Sequence, residues 1–157
     1  MDTIHINWDK SVTQFNDIKD SKKSKFDGKG FYAILGGIYE PKTNEWTSLK
    51  LLYIGQAFDQ TLRERIPQEH TAYKCVFDYK KQHSNVGIVV MLGSIEKSTV
   101  ERVTQELFND IECCLVFSNK PLCNETCQDC YSGRDLKIVN TGHPYPLKDE
   151  SNCSEKK

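Results

Sequence analysis

The stretch GFYAILGGIY, residues 30–39, carries two glycine–apolar–tyrosine triplets, Gly30-Phe31-Tyr32 and Gly37-Ile38-Tyr39, and YIG follows at 53–55. Residues 30–39 are apolar and β-prone apart from the glycines. EPKTNEW comes next, where Pro41 and Thr43-Asn44 supply turn chemistry. SLKLLYIG (48–55) reads as a second strand, so the two make a long β-hairpin. Its register follows from where the turn falls. Pairing Tyr32 with Gly55 centres the turn on Thr43-Asn44 and sets Lys42 opposite Glu45, a favourable pair. Pairing Tyr39 with Gly55 moves the turn toward Thr47 and puts Pro41 opposite Tyr53, where proline lacks a donor for the ladder. YAIL continues a strand after Tyr32, whereas YEPK after Tyr39 does not. Tyr32 is therefore the tyrosine expected to meet Gly55. A bulge at Gly36-Gly37 would change the register and reverse the choice.

Outward from the hairpin, DQTLRERI (59–66) predicts a helix, with Asp59 as N-cap and Pro67 just past its end. EHTAYKCVFDYKKQH (69–83) continues as a second helical piece. VGIVVMLGSI (86–95) is an apolar run rich in β-branched residues and reads as a buried strand. STVERVTQELFNDIECCLVF (98–117) is the clearest helix. Ser98 and Glu101 form a capping-box pattern, and Val100, Val103, Leu107, Ile111 and Cys114 make one apolar stripe. From Cys123 the pattern breaks into loop, with a short strand at LKIVN (136–140). The expected class is α+β: a small, mostly antiparallel three-stranded sheet, the hairpin plus one strand, packed with helices. Residues 1–29 read as a loosely ordered, lysine-rich arm with a short element at Phe15–Ile18. Residues 30–147 form the domain, and 148–157 a polar, disordered tail.

In order and spacing, several of these residues resemble the GIY-YIG nuclease family. They are the early Gly-apolar-Tyr, Tyr53-Ile54-Gly55, Arg63 ten residues after Tyr53, the helical Glu112, and Asn124 twelve residues after Glu112. The resemblance spans about residues 30–125. It implies a metal-dependent DNA endonuclease that hydrolyses a phosphodiester by water attack. Glu112 would anchor one Mg²⁺ or Mn²⁺, a metal that keeps waters and takes phosphate oxygens as ligands. Arg63 would offer a planar fork to phosphate charge. Tyr32 and Tyr53 would prepare the water, which for a phenol of ordinary pKa about 10 requires a neighbouring cation or base. Asn124 would hold Glu112 or a strand contact in place. The basic residue that follows the arginine in this family corresponds to His70, with His83 as the alternative. Gly55, Arg65, Lys25 and Lys29 are the candidate substrate contacts. Two-strand cutting from one metal site implies a transient dimer.

The 157-residue chain is 38% hydrophobic and 27% charged, with a formal net charge of -1. No global positive field announces nucleic acid, so a DNA contact must come from a local patch. Lys19, Lys22, Lys23, Lys25 and Lys29 form one, read either as a solvated tail or as a mobile arm on DNA phosphates. No apolar run approaches a membrane span and no signal core opens the chain, which predicts a cytoplasmic protein. Seven cysteines in a reducing compartment point to free thiols or a metal rather than a disulfide framework. Cys123, Cys127 and Cys130 have C-x3-C-x2-C spacing, a candidate for structural Zn²⁺ with Cys153 or His143 as fourth ligand. Two other readings therefore stand beside the enzyme: a catalytically silent nucleic-acid or protein-binding module on the same scaffold, and a zinc-stabilised interaction domain.

Overall fold

Residues 30–37 are buried without a break, because both faces of the strand they form are covered. The computed structural model describes residues 1–68 and 70–155; Glu69, at the start of the second expected helical piece, lies outside the described residues. The strand is β3 (Gly30–Glu40), antiparallel to β4 (Glu45–Ala57) on one side and to β5 (Gly87–Ser98) on the other. Its side chains alternate between faces, as the strand period of two requires. Phe31, Ala33 and Leu35 pack with Leu107, Phe108 and Ile111 of α3 (Gln105–Asn119). Tyr32 and Ile34 pack with Leu62 of α1 (Leu62–Arg65), with Tyr73 and Val76 of α2 (Thr71–Gln82), and with Ile18 and Phe26.

The expected three-stranded sheet is corrected: among the described residues the sheet has seven strands. The additional ones come from the segments read as arm and tail. β1 (Asp2–Trp8), β2 (Thr13–Gln14), β6 (Leu136–Gly142) and β7 (Glu150–Cys153) join the hairpin and β5 in the order β4-β3-β5-β1-β6-β7, with β2 paired to β5. β1 runs antiparallel to β5 and parallel to β6. Ile4, Ile6 and Trp8 face the α3 side of the core, and the Trp8 indole donates to Asn140 Oδ1 at 2.9 Å, 132 positions along the chain. A loosely ordered arm and a disordered tail do not describe these segments.

Tyr32 stands opposite Gly55, as the turn chemistry predicts. The outer half of the hairpin departs from that register. Glu40 faces Glu45, and register shifts fall between Ile34 and Leu35 and between Gly36 and Ile38. The extra residues lie on β4, not at Gly36-Gly37: Leu52 is unpaired, and Ser48-Leu49 span the second shift, with Ser48 in the left-handed region (φ 53). The first bulge turns Leu52 and Tyr53 toward the same side of the sheet, where both join the α2-side cluster.

Helix starts also differ. Thr61, not Asp59, caps α1, with a reciprocal capping box to Glu64. Thr104, not Ser98, caps α3 by accepting from the Leu107 N–H at 3.1 Å. Ser98 ends β5 and its hydroxyl accepts from the Val100 N–H at 3.0 Å, which tightens the turn between strand and helix. Both misplaced starts have a second good capping residue just downstream.

Three disulfides join Cys75 to Cys123, Cys113 to Cys127, and Cys114 to Cys153, and Cys130 is an exposed free thiol. The zinc site is thereby corrected: two of its three cysteines are spent on other partners, as is Cys153. Among the described residues no group of three His, Cys, Asp or Glu side chains is placed to hold a metal, and no helix is long and apolar enough to cross a membrane.

Candidate active site

The two motif tripeptides form one steric unit. The Tyr32 ring is fully buried and lies across Gly55, where any Cβ would overlap its Cζ and hydroxyl. Only glycine lets the ring through. The Tyr32 hydroxyl makes no hydrogen bond among the described residues. Its ring centroid is 6.1 Å from that of Tyr53. Tyr53 in turn meets the His70 ring at 5.6 Å and the Tyr73 ring edge-on at 5.8 Å. Tyr73 donates to the Ile66 carbonyl at 2.6 Å. Four rings from β3, β4 and the start of α2 thus share one side of the sheet.

The charged partners come from α1 and α3. Arg65 and Glu112 line a pocket of about 420 Å³ together with Gln56, Phe58, Asp59 and Gln105. Burial pushes the Tyr53 phenol up to about 12, and the negative charge of Glu112 and the Tyr73 phenol add to the rise; the Arg65 guanidinium opposes it. Burial likewise holds the Tyr32 hydroxyl well above its ordinary value. Burial also raises the Glu112 carboxyl, against the pull of the Gln56 amide and the Arg65 guanidinium. A carboxylate kept from water, with one cation and one amide for company, gains by taking on a further positive charge.

Arg63, the expected phosphate fork, is engaged elsewhere. Its Nε pairs with Asp27 at 2.9 Å, and its other nitrogens donate to the carbonyls of Ile18 (3.3 Å), Ser21 and Lys23 (2.9 Å). Residues two apart on a helix point about 200° apart, so only one arginine of LRER can face the tyrosines, and that one is Arg65. His70 does join the rings. Its Nδ1 accepts from the Ala72 N–H at 3.1 Å, capping α2, so in the neutral ring Nε2 carries the proton and donates. His83 caps the other end of α2, stacked on Tyr79.

Asn124 grips the open edge of the sheet. Its amide accepts from the Ile54 N–H and donates to the Ile54 carbonyl, both at 2.9 Å. The N–H groups of Leu122 and Cys123 donate to Leu51 and Leu52 at 3.3 and 2.7 Å. This segment covers β4 as a short extra strand would, and it fixes the main chain between Tyr53 and Gly55. Of the lysines, Lys29 stands 4.4 Å over the Phe58 ring at the pocket rim. Lys25 pairs with Asp9 at 3.3 Å in a different cleft.

No family model, curated protein or solved structure matches the chain. The site's chemistry therefore rests on this geometry. It also contains groups that reading the sequence passed over. Gln105 donates to Gln56 Oε1 and to Asn109 Oδ1, both at 2.9 Å, and Gln56 donates to Asn109 at 2.6 Å. Gln105, Asn109 and Glu112 recur at four- and three-residue steps, a polar stripe on α3 legible by helical period. Tyr73 had no such signal: an aromatic on an amphipathic helix is usually core.

Proposed function

We propose that this protein is a metal-dependent endonuclease of the GIY-YIG type, hydrolysing phosphodiester bonds in DNA. One observation carries the reading: Arg65 of α1 and Glu112 of α3 line one pocket, and the charges of both bear on the Tyr53 phenol of β4, which packs beside the Tyr32 ring of β3 over the glycine that this packing demands. Arg65 replaces Arg63 as the phosphate fork, because a guanidinium donates two parallel bonds to phosphate oxygens. Tyr53 carries its proton throughout the neutral range, so it orients the attacking water or a phosphate oxygen by donation. His70 Nε2–H adds a second donor, and Asn124 keeps the Tyr53–Gly55 backbone in register.

Glu112 is the residue that would hold a divalent cation. Among the described residues no group of three His, Cys, Asp or Glu side chains is placed to hold a metal, so a Mg²⁺ or Mn²⁺ on Glu112 would have to complete its shell with waters and substrate phosphate. When bound, such a cation supplies charge neutralisation at the phosphate and an acidified water. The test incubates the purified protein with Mg²⁺ or Mn²⁺ and supercoiled, branched and single-stranded DNA. Nicking that stops on chelation is expected; binding without nicking under every condition would favour the silent binding module instead. The three disulfides favour an oxidising compartment over the cytoplasmic one first expected.

A further inference from the structure

A cleft of about 1310 Å³ lies between the tip of the β3–β4 hairpin, the loop after β1 and the loop after β6; Lys10, Lys23, Lys25, Tyr39, Trp46 and Tyr145 are among its lining. A second cleft of about 530 Å³ shares Lys23, Tyr39 and Trp46 and extends it past β2. We propose that this groove binds a single-stranded stretch of polynucleotide, stacking bases on its aromatic rings and taking phosphates on its lysines. Naming that strand the flank of a substrate cut at Glu112 rests on the nuclease reading above.

Tyr39 and Trp46 form a fixed platform, with Tyr145 across the groove. Tyr39 is 44% and Tyr145 71% exposed, an unusual amount of aromatic surface to leave in water. Tyr39 and Trp46 are tilted together at 5.3 Å, and the Tyr39 hydroxyl is bonded to Asn44. The Trp46 indole lies on Gly87, where a Cβ would approach it to 2.7 Å. Rings held this way lose little entropy when a base stacks on them. Among the described residues neither Lys10 nor Lys23 forms an ion pair.

Arg63 ties the groove to the catalytic pocket. It spends its donors on Asp27 and on three carbonyls of residues 18–23, and so fixes the loop that carries the lysines. Lys23 and Lys25 face the groove, while Lys29 stands at the rim of the Glu112 pocket. Four residues of chain span at most about 14 Å, so one short cationic loop runs from groove to pocket. A duplex fits the groove poorly, since its bases already stack on each other and show no faces. A lone phosphate leaves three aromatic rings without a purpose.

The test measures anisotropy of labelled oligothymidylate, a matched duplex and a matched abasic strand on full-length Glu112→Gln protein without metal, so that nothing is cut. Oligothymidylate is expected to bind more tightly than either competitor and to quench Trp46, which is half-buried where Trp8 is fully buried. Tyr145→Ala and Lys23→Glu, both surface changes, should each weaken it about tenfold, the latter with a shallower salt dependence. Equal binding of the abasic strand, tighter binding of the duplex, unchanged affinity in both variants, or Trp46 quenching by a neutral polysaccharide instead overturns the inference. If no DNA is cut by the parent yet the groove variants lose oligothymidylate, the catalytic reading falls alone. If the parent cuts while those variants bind and cut as it does, the groove falls alone.

Discussion

Arg63 and Arg65 stand two residues apart on α1 and serve different ends, one holding the chain and the other facing the tyrosines. Arg65→Ala is expected to abolish nicking while leaving the melting temperature close to the parent's. Arg63→Ala should cost about 2 kcal/mol, because it releases a charge pair and three carbonyls, and should open trypsin sites at Lys22 and Lys23, read by limited proteolysis. Glu112→Gln should keep the circular dichroism of the parent and lose all metal-dependent cleavage; a variant that cuts at the parent rate would remove Glu112 from the chemistry. Alkaline stability gives a third check. The folded protein keeps the Tyr53 proton up to about pH 12, whereas an unfolded tyrosine loses it near 10. Protons held only by the folded state make stability fall as pH rises. Stability should therefore be full below about pH 10 and decline toward 12, and Tyr53→Phe should decline less steeply in urea titrations across that window. At this scale the pairing of Tyr32 with Gly55 was legible from turn chemistry, and so was a strand contact made by Asn124. The choice between two arginines was not, because it depends on the rotation of α1, which the cap at Thr61 sets.

Among the elements, the edge strand β4 depends on a loop rather than on a neighbouring strand. Asn124→Leu removes both bonds to Ile54 and should cost about 1–3 kcal/mol, with faster hydrogen exchange at the Ile54 amide as its local signature. Asn124→Asp keeps an acceptor for the Ile54 N–H but turns an oxygen toward the Ile54 carbonyl, so it should rescue only in part. Cys123 anchors the same loop to α2, and Cys127 anchors it to α3. Hairpin register was readable because proline and turn residues permit few solutions near the motif tyrosine. The bulge at Leu52 was not, since no glycine or proline marks it; the shift at Ser48-Leu49 stands opposite Gly37, where the glycine pair marks it, but the extra residue is on β4. Helix starts slipped because SxxE at 98–101 imitates a cap that Thr104 supplies.

For the molecule as a whole, β1 is an inner strand of the sheet and no appendage. Deleting residues 1–9 should abolish the cooperative thermal transition and the near-ultraviolet circular dichroism; loss of a true arm would leave both. Ile4, Ile6 and Trp8 alternate as a half-buried strand should, so β1 was legible in principle, and the lysines that follow drew attention from it. What sequence alone could not supply was its partners, because pairing across the whole chain leaves no local trace. The cysteine count misled for the same reason: six of the seven find partners that are distant in sequence and close in space. The parallel pairing of β1 with β6 has a consequence for synthesis. β1 is made long before its neighbour β6, so the sheet cannot close around Trp8 until β6 has emerged. Until then β1 offers three bare apolar residues to any chaperone or aggregate, and the order of translation runs against the order of assembly.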